Sequence, residues 1–65
     1  MRDPKRIDRI CDLLEDFWKQ VPDWRLGQLI SNVIGRRDPF FIEDEDMEKS
    51  LECYLKAVAE ERNEN

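Results

Sequence analysis

Histidine is absent from the 65 residues, and only two cysteines, Cys11 and Cys53, and two glycines, Gly27 and Gly35, are present. Each shortage excludes a chemistry. Without histidine the usual general base near neutral pH is missing. The carboxylates fall on faces expected to be wet, where nothing raises their pKa. No catalytic residue is assigned, and no enzymatic activity is expected. Zinc asks for three or four ligands, usually closely spaced, and two cysteines 42 positions apart do not supply them. Two isolated glycines make no phosphate-cradling loop. The acidic run Glu43–Asp46 is not followed by the glycine that a calcium loop places at its centre. No apolar run approaches the roughly 18–20 residues of a membrane span. The opening residues, MRDPKRIDRI, hold no signal-peptide core. These absences imply a cytoplasmic protein with reduced thiols, no metal, no cofactor and no membrane partner.

What is present is charge, 42% of the chain, with a net value of −5. Its sign is uneven. Residues 1–42 carry eight basic and seven acidic side chains, whereas residues 43–65 carry three and nine. An acidic chain is a poor general ligand for phosphate backbones. At this length the chain forms a single small domain of little stability margin, which a second copy or a partner surface would relieve.

The apolar residues recur at helical spacing. Asp3-Pro4 is a helix start, with Asp as N-cap and Pro in the first turn. Ile7, Ile10, Cys11, Leu14, Phe17, Trp18 and Val21, widened by Leu13, form the stripe of a first helix over residues 4–20. Cys11 lies inside that stripe and is expected to be a small buried hydrophobe. Pro22 stops the helix. Asp23 is the expected N-cap of a second helix, 24–34, whose stripe is Leu26, Leu29, Ile30, Val33 and Ile34. So short a connection predicts that the two helices are adjacent in space, antiparallel or steeply crossed. Gly27 interrupts the second helix, which predicts close approach by a neighbour, and Gly35 ends it. Asp38-Pro39 is a turn, and Phe40, Phe41 and Ile42 follow it. Three large apolar residues are expected to run extended and plug one end of the bundle. Left exposed, they would form a sticky patch or an edge strand able to pair with a second copy. Asp44 is the expected N-cap of a third helix, 44–60, with the stripe Met47, Leu51, Tyr54, Leu55 and Val58. Cys53 falls opposite that stripe and is expected to be exposed. Met1–Arg2 and the tail from Glu60 or Glu61 to Asn65 are expected to be disordered. The fold class is therefore all-α: a compact three-helix domain with a short extended aromatic loop between helices two and three.

Residues 6–30, RIDRICDLLEDFWKQVPDWRLGQLI, carry a further pattern. Arg6, Ile10, the Leu13-Leu14 pair, Trp18, Pro22-Asp23-Trp24, Leu26 and Gln28 follow one another at the spacing Trp-x3-Pro-Asp-aromatic-x-Leu-x-Gln. This stretch resembles the family of small uncharacterised bacterial proteins typified by YihD. The resemblance spans about 25 residues and does not extend past Gly35. It implies a small cytoplasmic bacterial protein and no mechanism, so it transfers no functional residue.

Two functional readings follow from the residues. The first is a non-catalytic protein-interaction module that presents Phe40, Phe41 and Ile42, with the adjacent face of helix three, to a protein partner or to another copy of itself. The second is a nucleic-acid-binding or regulatory module. It would use the polar and basic face of helix two, formed by Arg25, Gln28, Asn32, Arg36 and Arg37, residue types that read base edges.

Overall fold

The computed structural model describes residues 2–62 and contains three helices: α1 (Lys5–Gln20), α2 (Leu26–Ile34) and α3 (Asp44–Arg62). The all-α architecture expected from periodicity is the one formed.

The start of α1 follows the Asp-Pro signal. Asp3 Oδ1 accepts from the Lys5 amide at 3.0 Å. The carbonyls of Asp3 and Pro4 accept from the amides of Arg6 and Ile7. The other two expected caps fail. Pro22 and Asp23 occupy the middle of a reverse turn closed by the Trp24 amide on the Val21 carbonyl, with Pro at its favoured second position. Trp18 Nε1 donates to the Trp24 carbonyl at 2.8 Å and pins that turn to α1. Trp24 is thus outside the helix. α2 begins two residues later from an extended Arg25 with no side-chain cap. Asp44 is the first residue of α3, and its carboxylate is taken by Arg6 Nε at 2.6 Å. The Glu43 carbonyl accepts the first bond of that helix, from the Met47 amide.

At its other end α2 stops at Gly35, with φ 64 and ψ −127. That is a glycine conformation, though not the left-handed helical one expected. Its amide reaches the Ser31 carbonyl, and the Arg37 amide reaches Ile34. Gly27 departs from expectation. It is exposed, and a Cβ placed on it would meet no heavy atom within 4 Å. No close approach explains this glycine.

α3 packs on both other helices, and the α1–α2 contact is slighter than either. Ion pairs run in step along α1 and α3: Arg2–Glu43, Arg6–Asp44 and Arg9–Glu48. The two helices are therefore parallel. α2 runs back between their ends, with Arg37 on Ser50 and Tyr54 on the Asn32 carbonyl. Phe17, Leu29, Val33 and Leu51 form the core. Phe17 is 0% exposed and meets Trp24 edge-on at 5.9 Å and Tyr54 at 5.8 Å.

The ends also differ from expectation. Arg2 is ion-paired with Glu43, and the helix continues through Glu60 and Glu61 to Arg62. Met1 and residues 63–65, where the rest of the expected disorder falls, lie outside the described residues.

Cys11 is exposed, as is Cys53. The reason lies in the width of the α1 stripe. At about 100° per residue, Ile10, Leu13 and Phe17 point one way, and Ile7, Cys11, Leu14 and Trp18 point roughly a quarter-turn aside. The first set meets the core. The second is left at the surface, with Leu14 and Trp18 half-buried.

Candidate interaction surface

The segment between α2 and α3 is built around Asp38. Its Oδ1 accepts from the Phe40 amide at 3.0 Å. Its carbonyl accepts from the amides of Phe41 and Ile42, each at 3.1 Å. Asp38 thus gathers three consecutive N–H groups and winds 38–42 into a compact turn, so the segment is not extended. With its amides turned inward, it has no free strand edge to offer.

The turn also places the aromatics. Phe40 is 84% exposed and Phe41 74%, while Ile42 is half-buried. The expected plug is therefore overturned: only Ile42 reaches inward. The core was already filled by Phe17, Leu29, Val33 and Leu51, which leaves no room for two more rings. Phe40 and Phe41 meet each other edge-to-face at 4.9 Å and 76°, a favourable ring arrangement. They form one knob. A shallow groove of about 280 Å³ beside it is lined by Phe41 and Ile42 and by Arg37, Asp38, Glu43 and Asp46. The knob thus carries an acidic margin.

The polar face of α2 comes out divided. Arg25, Gln28, Asn32 and Arg36 are exposed. Arg37 is exposed as well, but its head group folds back. Its Nε donates to the Ile34 carbonyl at 2.8 Å, and Nη2 donates to the Val33 carbonyl at 3.1 Å and to Ser50 Oγ at 2.8 Å. It caps the C-terminus of α2 and ties it to α3, so it does not stand with the other four. The Asn32 carbonyl is held by the Tyr54 hydroxyl at 2.9 Å.

Reading the sequence missed the role of the acidic run. Glu43, Asp44 and Glu48 answer Arg2, which precedes α1, and Arg6 and Arg9 within it. The hydrogen bond from Arg6 holds the Asp44 carboxyl below its ordinary pKa; desolvation opposes it in part, and the charges of Arg6 and then Arg2 add to the lowering. The same kind of contact with Glu48 raises Arg9. Part of the signal was present in the spacing: the arginines at 2, 6 and 9 advance by four and three, and Asp44 and Glu48 stand four apart.

Among the described residues no three His, Cys, Asp or Glu side chains converge as a metal site needs, and no helix is long and apolar enough to cross a membrane. No family model, no curated protein and no solved structure matches this chain.

Proposed function

We propose that this protein is a protein-interaction module whose binding element is the Phe40–Phe41 knob. The observation that carries the reading is the exposure of two adjacent phenylalanines, held outward by the Asp38 turn. Scattered single apolar residues are ordinary on a surface, but a presented aromatic cluster marks a contact site. Burying two such rings supplies roughly 3–6 kcal/mol before the costs of association. Asp38 and Asp46 at the margin suit a partner with an apolar cleft rimmed by lysine or arginine. The resemblance of residues 6–30 to a bacterial family fits a cytoplasmic setting for such a module and adds no mechanism.

A photo-crosslinking phenylalanine analogue placed at Phe41, in the native cell, tests the reading. A discrete adduct with one protein is expected there, and none from the same analogue at Lys56 on the far side of α3. Identical adduct patterns from both positions would refute it.

The nucleic-acid reading rests on Arg25, Gln28, Asn32 and Arg36 alone, since Arg37 is engaged. Its test is titration of labelled protein with mixed-sequence duplex DNA and RNA. Shifts along α2 that vanish at high salt would favour it.

A further inference from the structure

A second site lies toward the other end of α3 from the aromatic knob. Tyr54, Ala57, Val58 and Glu61 recur at i, i+3, i+4 and i+7 and so share one face of that helix. With Phe17, Val21, Trp24 and Glu60 they line a groove of about 540 Å³, a size that suits a small ligand. The sequence accounts for the trough. Ala57 is the smallest of the four and leaves space between Tyr54 and Glu61. α1 ends at Gln20, and the turn from Val21 to Trp24 forms the opposite side.

Three rings line the groove. Phe17, fully buried, meets Trp24 at 5.9 Å and Tyr54 at 5.8 Å. Trp24 is half-buried and Tyr54 exposed, so both reach solvent. Both are held in place: Trp18 Nε1 donates to the Trp24 carbonyl, and the Tyr54 hydroxyl donates to the Asn32 carbonyl. The carboxylates of Glu60 and Glu61 belong to the same groove and are exposed. Among the described residues no ion pair takes either one, and no basic side chain lines the groove. Ring faces and carboxylates attract the same kind of ligand, a cation. The nearby C-terminus of α1 adds partial negative charge.

We propose that this groove binds a small alkylated ammonium cation, free in solution. Alkylation matters because the apolar lining offers side-chain acceptors only at Glu60, Glu61 and the already engaged Tyr54 hydroxyl. A bare ammonium would leave N–H donors unmet on entry, whereas methyl groups lie against rings and keep the charge. The ligand is a free molecule rather than a side chain of the knob's partner, since Ala57 stands about 20 Å along α3 from Asp44, next to the knob.

Titration of the whole ¹⁵N-labelled chain with choline chloride is the test. Saturable shifts are expected at the Trp24 indole N–H and the amides of 54–61, with Kd about 1 mM. Ethanolamine, which lacks the methyl groups, and 3,3-dimethylbutan-1-ol, with carbon in place of the charged nitrogen, should each bind about tenfold more weakly. Ala57→Leu, at an exposed position, fills the trough and should abolish the shifts with unchanged helical circular dichroism. Phe41→Ser should leave Kd unchanged, which separates this site from the knob. Four results would each overturn the proposal: no saturable shift up to about 50 mM choline, a neutral alcohol binding as well as choline, an Ala57→Leu chain binding like wild type, or a trimethyllysine peptide binding more than about tenfold tighter than choline.

Discussion

Arg37→Ala removes the fastening between α2 and α3, and its cost follows from three bonds. The guanidinium donates to the carbonyls of Ile34 and Val33 and to Ser50 Oγ. The two carbonyls belong to the last turn of α2, whose acceptors have no partner within the helix. The cation also sits at the negative end of the helix dipole. A single hydrogen bond contributes roughly 0.5–1.5 kcal/mol net, and water replaces part of each bond at this accessible position. The expected loss is therefore about 1–2 kcal/mol, where each kcal/mol lowers Tm by roughly 4–8 °C in a domain this small. Arg37→Lys is expected to recover little, because a single ammonium cannot span the three acceptors. Arg36→Ala, at an exposed position, is the control and should fall within about 0.5 kcal/mol of wild type. The assay is urea unfolding followed by circular dichroism. Equal midpoints for Arg36→Ala and Arg37→Ala would show that the capping contacts contribute nothing and return Arg37 to the exposed face of α2.

Gly27→Ala should stabilise the domain by about 1 kcal/mol, since the position is helical, exposed and free of neighbours; a destabilised variant in thermal melts would mean an unseen contact. Phe17→Ala should cost roughly 3–5 kcal/mol, against a total of about 3–10 kcal/mol for a chain of this length, leaving much of the population unfolded by circular dichroism even without urea. For Asp44 the sign is fixed by its lowered pKa in the folded state. Its contribution is present above the ordinary value of 3.8 and is lost as pH falls through the lower folded value. Melts of wild type and Asp44→Asn should thus differ near neutral pH and converge only below that ordinary range. A gap constant down to the most acidic melts would refute the Arg6 pairing.

The helices were legible because their apolar spacing is regular, and Asp3-Pro4 and Gly35 mark real ends. The caps were less so. Asp23 has the right side chain for a cap, but Pro22 before it favours a turn, and the Trp18 indole closing on Trp24 is a contact six residues apart that periodicity does not report. Cys11 illustrates the limit of a stripe: periodicity says which residues share a helix face, not how much of that face the rest of the chain is large enough to cover. The same limit decided Phe40 and Phe41. Their apolarity argued for burial, while the Asp38 turn and a core closed by Phe17 set them outside. Glu43–Asp46 looked like a solvated helix start because its arginine partners lie some forty positions earlier in the chain.

If Phe40 and Phe41 serve a partner rather than the fold, the Phe40→Ser, Phe41→Ser double variant should unfold in urea with a stability within about 0.5 kcal/mol of wild type and an unchanged dependence on denaturant. A loss of about 3 kcal/mol or more, the cost of truncating even one buried phenylalanine, would contradict it and place the rings in the core.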